Sequence, residues 1–172
     1  LHKNLVKMNN ITFIGMAGCG KSTIGRGIAD KLDVNFVDTD VLIENKHHLS
    51  LEQIKQEYGY KFVREEEEKV ILGLSNFDKV ISTGGSAIYS LKSMDHLKTF
   101  SKIVYINTPL EIIIERIDIG QERGLAVPDG MTIPEVYSER ETLYEKYAKY
   151  TIDGSSSIES LIDEVEDIFV NG

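Results

Sequence analysis

The sequence predicts an α/β fold: a five-stranded parallel sheet with helices on both faces, within a single domain spanning residues 1–172. Three observations carry that expectation. Short apolar runs end at Gly15, Asp38 and Gly84. Stretches with apolar residues at helical spacing alternate with those runs. Such alternation implies a parallel sheet, because each crossover lays a helix on one of its faces. In that architecture ligands sit beyond the carboxyl ends of the strands, so three strand ends converge on one region.

Taken in order, Ile11-Thr12-Phe13-Ile14 reads as a short buried strand ending at Gly15. From Lys21 to Leu32, Ile24, Ile28, Ala29 and Leu32 recur at helical spacing. Val34–Val37 is a second strand, followed by Asp38. Residues 41–74 read as two or three helices with Gly59 as punctuation. Lys79–Ser82 is the third strand and Lys102–Ile106 the fourth, with no element read between Gly85 and Lys102. A helix follows from about Pro109, whose fixed φ suits a first turn. Residues 119–131 contain three glycines and a proline and read as a mobile loop between helices. Helical signal returns from Ile133 to Lys149. A fifth strand covers Tyr150–Ile152, and a last helix carries Ile158, Leu161, Ile162 and Val165 on one face.

A net charge of −9 argues against gripping nucleic acid or an anionic membrane, since both need a basic surface. The one cysteine, Cys19, allows no intrachain disulfide and fits a reducing cytoplasm. No apolar stretch approaches the ~20 residues that span a bilayer. The opening LHKNLVKM lacks the long apolar segment of a secretory signal, and Met8 is a candidate native start. The chain is expected to act as a monomer. His47 and His48 lack metal-ligand spacing and read as exposed loop residues, whereas Tyr144 and Tyr147 read as packing aromatics.

The chemistry begins at Gly15-Met16-Ala17-Gly18-Cys19-Gly20-Lys21-Ser22, which fits the phosphate-binding pattern G-x-x-x-x-G-K-[ST] between a strand and a helix. Its glycines let consecutive amides face inward around phosphate oxygens, and the helix adds its positive dipole end. Gly18, Cys19, Gly20, Lys21, Ser22 and Thr23 are therefore candidate nucleotide-binding residues, although Thr23 equally suits support of the first helical turn. Lys21 can reach the β and γ phosphates, and the Ser22 hydroxyl can ligate Mg²⁺.

Phe36-Val37-Asp38-Thr39-Asp40 closes the second strand with carboxylates spaced i, i+2. On an extended backbone they point the same way, one toward a metal and one toward an incoming hydroxyl. The competing reading is an acidic cap on the next helix. Two charged stretches, Phe62-Val63-Arg64-Glu65-Glu66-Glu67-Glu68 and Glu139-Arg140-Glu141, read on spacing alone as solvated helix faces.

Together these segments resemble the shikimate kinases over about residues 10–170. GMAGCGKSTIGRGIADKL followed by FVDTD resembles the family's opening, FVREEEE its F-x-R-x-x-E segment, STGGSA its glycine-rich segment, and ERETLYEKYA its R-x-x-x-Y-x-x-x-A segment. The resemblance implies a three-layer P-loop kinase fold and ATP-dependent phosphorylation of a hydroxyl of shikimate. It implies that Ser22 and Asp38 hold Mg²⁺ and that Asp40 binds the acceptor hydroxyl and acts as its base. Arg64 and Arg140 would clamp the substrate carboxylate, with Glu67 holding them in place. Gly84 and Gly85 would bring backbone amides to the substrate. Arg123 would be a lid arginine closing over the phosphates and Arg116 would stack near adenine, flanked by the Asp153–Ser157 turn.

Three positions depart from the family pattern. Ser86 stands where a third glycine is typical and counts among the candidate substrate-binding residues; Gly124 follows the lid arginine in place of proline; Tyr60 replaces an acidic residue. Two other readings stand beside the kinase of shikimate. One is a related enzyme acting on another carboxylate-bearing polyol such as gluconate. The other is a nucleotide-binding regulator without turnover, which should lack Lys21, Asp40 or the lid arginine.

Overall fold

The structure, a computed structural model, describes residues 9–117 and 125–172. The expectations placed on residues 1–8, on Arg123 and Gly124, and on the first part of the 119–131 lid lie outside the described residues. Five parallel strands form one sheet in the order β2-β3-β1-β4-β5. They are β1 (Asn10–Ile14), β2 (Phe36–Asp38), β3 (Val80–Ser82), β4 (Ser101–Asn107) and β5 (Tyr150–Asp153). The register aligns Phe13 with Ser82 and Val104, and Asp38 with Ser82, so the carboxyl ends of the central strands finish at one edge.

Two apolar layers follow from the period-2 alternation of strand side chains. Ile11, Phe13, Val80, Val104 and Ile106 face one side, under α1 (Lys21–Leu32) and α8 (Ile158–Asn171). Ile14, Ile81, Ile103 and Tyr105 face the other, under α5 (Leu91–Lys98), α6 (Leu110–Arg116) and α7 (Ile133–Tyr147). Tyr144 and Tyr147 are buried in this second layer, as read from the sequence.

The 41–74 region resolves into three helices, α2 (Thr39–His47), α3 (Leu51–Tyr58) and α4 (Tyr60–Leu72), with Gly59 between the last two. They enclose a satellite core of Ile43, Leu51, Ile54 and Val63. An element that the sequence reading lacked also appears. After Gly85 the chain makes a 3₁₀ turn over Ala87–Tyr89 and then α5, capped by Ser90, whose hydroxyl accepts from Ser93 N at 3.1 Å. A helix of eight residues is too short to be stable by itself, so packing on the sheet creates it.

His47 is likewise corrected. It ends α2, is half-buried, and meets Glu66 Oε2 at 2.7 Å while its ring lies edge-on to Phe62. Glu66 also accepts from Lys46 at 2.7 Å and Lys69 at 3.2 Å, tying α2 to α4. Burial alone would raise the Glu66 carboxyl, but hydrogen bonds from Lys46, His47 and Lys69 outweigh it and hold it down at about 2, against an ordinary 4.5. A depressed carboxyl stabilises the fold above its unfolded value and loses that contribution as pH falls from 4.5 toward 2. The full shift would be worth about 3 kcal/mol, and the half-exposed lysines reduce it. Glu66→Gln is therefore expected to cost about 1–2 kcal/mol at pH 7 in urea unfolding. The gap should close by pH 2; equal midpoints at pH 7 would refute the account.

Candidate active site

The loop Gly15–Gly20 links β1 to α1, and its conformation depends on glycine: Gly18 and Gly20 have φ of 78° and 105°, values that side-chain-bearing residues rarely adopt. Thr108, at the end of β4, donates to Cys19 O at 2.9 Å and fixes the loop to the sheet. Lys21 is buried, its Nζ donating to Gly15 O at 2.7 Å and Met16 O at 2.9 Å.

Ser22 Oγ donates to Asp38 Oδ2 at 2.7 Å, so the predicted pair of oxygen ligands meets. The geometric reason differs from the extended i, i+2 spacing read in the sequence. Asp38 is the last strand residue and caps α2, its Oδ1 accepting from Asp40 N at 3.0 Å and Val41 N at 3.3 Å. Asp40 lies in the first turn of α2. Cap and site residue are thus the same aspartate, and the two readings left open by the sequence coincide in Asp38.

One cavity of about 310 Å³ joins most of the expected residues. Gly18, Cys19, Gly20, Lys21, Ser22 and Thr23 line its nucleotide end, with Arg116, Gly154 and Ser156 beside them. Asp40, Glu67, Gly84, Gly85, Ser86 and Arg140 line the other end. Asp38 opens instead onto an adjoining hollow shared with Ser22 and Thr23. Arg64 stands off the cavity wall. Arg116 Nη1 donates to Gly18 O at 2.7 Å, which places it against the loop.

Two expected contacts are replaced by others. Gly84 N donates to Thr39 Oγ1 at 3.0 Å, so its amide already has a partner within the fold. Glu67 does not pair with the arginines, and neither arginine forms an ion pair with a carboxylate among the described residues. Glu67 instead approaches Asp40 across Gly84, where a Cβ would collide with an oxygen of each. It is buried, and its Oε1 has no hydrogen-bond partner among the described residues. Burial, then the Asp40 charge, pushes its carboxyl up to about 8, with Arg140 opposing.

Arg140 is 1 % exposed, with Nε and Nη2 unpartnered among the described residues. A buried guanidinium is costly unless its charge is met, so these donors favour an anion in the cavity. Tyr144, one turn on, donates to Gly85 O at 2.7 Å and stacks on Tyr105. Arg64 Nε donates to Ala126 O at 2.7 Å, tying α4 to the segment before α7. The sequence reading missed Thr39, Tyr89 and Ala126 as site neighbours. For Tyr144 the i, i+4 spacing from Arg140 was a usable signal.

The family described as shikimate kinase matches residues 17–169. The chain belongs to the shikimate kinase family. A shikimate kinase of Clostridium beijerinckii is 34% identical over 164 residues, covering 95% of this chain and 96% of that one. Another, from Clostridium botulinum (strain Loch Maree / Type A3), is 38% identical over 159 residues, with 90% and 93% covered. Among solved structures, shikimate kinase from Acinetobacter baumannii in complex with shikimate superposes with a TM-score of 0.80 at 27% identity, covering 95% of this chain and 93% of that chain. As in other members of a kinase family, the expected activity is phosphotransfer. No helix among the described residues is long and apolar enough to cross a membrane.

Proposed function

We propose that this chain transfers the γ-phosphoryl group of ATP to a ring hydroxyl of shikimate. The observation that carries the reading is a single cavity joining a phosphate-binding loop, the Asp40 carboxylate and the buried, unpartnered guanidinium of Arg140. A phosphate site alone would serve many reactions. A carboxylate beside it suits an alcohol acceptor, and a guanidinium fork at the far end suits a planar carboxylate on that acceptor.

In the reaction the acceptor oxygen forms a bond to the γ-phosphorus while the bond from that phosphorus to the bridging oxygen breaks, releasing ADP. Asp40 receives the hydroxyl proton. Lys21 exchanges its loop carbonyl partners for phosphate oxygens, and inward amides of the loop hold the remaining charge. Ser22 and Asp38, hard oxygen donors already in contact, fit Mg²⁺ and would hold it. When bound, the metal offsets negative charge on the phosphates. The roles of Arg116 and Arg123 at the nucleotide, and of α2–α4 at the acceptor, belong to the same proposal. Action as a monomer belongs to the same proposal, and the single buried Cys19 supports a reducing, cytoplasmic setting.

The test is a coupled ADP-release assay with Mg-ATP against shikimate, gluconate and a blank without acceptor. Shikimate-dependent turnover is expected. Turnover with gluconate alone would transfer the assignment to a sugar-acid kinase, and ATP binding without turnover on either would point to another acceptor, leaving the regulator to be tested next.

A further inference from the structure

Tyr89 ends the 3₁₀ turn that follows Gly84-Gly85-Ser86, its N–H donating to Ser86 O at 3.1 Å. Both arginines expected at the acceptor carboxylate approach its ring, Arg140 on the cavity wall and Arg64 off it. The Arg64 guanidinium carbon lies 3.8 Å from the ring centroid and that of Arg140 5.5 Å. Arg64 also lies over Tyr60, at 5.0 Å. The Tyr89 hydroxyl donates to Glu139 Oε1 at 2.6 Å and also meets the Arg140 side chain, which fixes the ring from its far end.

Two like charges held near each other need something to hold them, and neither has a described carboxylate in ion-pair contact. An aromatic face supplies negative potential to a cation. It does so without occupying N–H groups, which lie in the guanidinium plane. A carboxylate partner would consume the fork that must receive the substrate's acid. Arg64 spends only Nε, on Ala126 O, and no described partner engages its terminal nitrogens.

We propose that Tyr89 is a positioning residue of the acceptor site: its ring face, assisted by Tyr60 at Arg64, holds Arg64 beside Arg140, leaving the terminal nitrogens of Arg64 and the Nε and Nη2 of Arg140 for the substrate carboxylate. The inference rests on the proposed shikimate kinase function. It distinguishes a ring that sets acceptor affinity from one that merely fills space. It also gives Tyr60 a role that an acidic side chain could not fill without closing the Arg64 fork.

The test compares wild type with Tyr89→Phe, Tyr89→Leu and Tyr89→Ala. Shikimate KM, kcat and ATP KM are read by ADP release, and shikimate Kd by calorimetry, with thermal melts to confirm folding. Leu and Ala are expected to raise shikimate KM and Kd about 10- to 30-fold, with ATP KM unchanged and kcat altered by less than about threefold. Phe keeps the face and should restore both constants to within about threefold of wild type. With shikimate methyl ester as acceptor, the wild-type to Leu ratio should shrink toward one.

Leu behaving like Phe would reduce Tyr89 to packing and overturn the proposal. So would Phe failing as badly as Ala, which would place the effect in the hydroxyl's contacts with Glu139 and Arg140 and not in the ring face. A wild type that neither binds nor phosphorylates shikimate would remove the function and the inference together. A wild-type enzyme active on shikimate beside an unimpaired Ala variant would remove the inference alone.

Discussion

Asp40→Asn is expected to lower kcat for shikimate by about 10²–10⁴-fold while leaving ATP affinity within about threefold of wild type. The magnitude is that of a positioned base removed from an otherwise intact site. Asparagine keeps the shape and can still accept a hydrogen bond, so the loss isolates proton acceptance. ATP should remain bound because Lys21, Ser22 and the loop amides are untouched, and the α2 cap depends on the carboxylate of Asp38 and not of Asp40. Steady-state ADP release together with a nucleotide titration checks both halves. If ATP affinity collapsed along with turnover, Asp40 would belong to the nucleotide end of the cavity and the acceptor would need another base.

Gly84→Ala carries the second large effect. A Cβ at this position would meet Glu67 Oε2 and would lie 2.5 Å from Asp40 Oδ1. Flexible side-chain ends can often retreat from such a clash, but Glu67 is 2% exposed and both carboxylates line the cavity, so the space open to them is the reacting end itself. Any relief would therefore move the carboxylates of the reacting end. Overpacking of this kind costs about 1–3 kcal/mol, and the activity loss should exceed what that destabilisation explains. We expect kcat/KM for shikimate to fall at least about 100-fold, consistent with displacement of a group near the chemistry by about an ångström. A thermal melt and an ATP titration should show a folded, nucleotide-binding protein. Near-normal turnover would mean that Glu67 and Asp40 need not approach each other for catalysis.

The contrast between Glu66 and Glu67 shows where reading the sequence stops. In FVREEEE the four glutamates are indistinguishable by charge or propensity, and a solvated face describes Glu65 well, since it is exposed. Its neighbours turn inward along different directions. Glu66 meets Lys46, His47 and Lys69, while Glu67 meets the Asp40 end of the cavity. Which way each points depends on how α4 is rotated against α2, and that rotation is set by Ile43, Val63 and their apolar neighbours. The absence of α5 from the sequence reading has a similar cause. Its apolar residues, Leu91, Met94 and Leu97, make too short a run for a clear helical period, and only Met94 and Leu97 turn inward to pack against the sheet.

The resemblance named the arginines but gave them the wrong neighbours. Glu67 was expected to hold Arg64 and Arg140, whereas aromatic faces and a backbone carbonyl hold Arg64 in the structure. Tyr89 had no signal in the sequence because a tyrosine in a turn reads as ordinary.

By itself the sequence determined the strands, the phosphate loop and the order of the fold. Each of these depends on contacts within a few residues: apolar alternation, glycine conformations, a lysine at the first position of a helix. Tertiary structure alone decided which carboxylates are buried together, which amide is already taken by Thr39, and what holds the arginine pair. Those outcomes join residues dozens of positions apart, and burial, by removing water from between them, turns their separation into their chemistry.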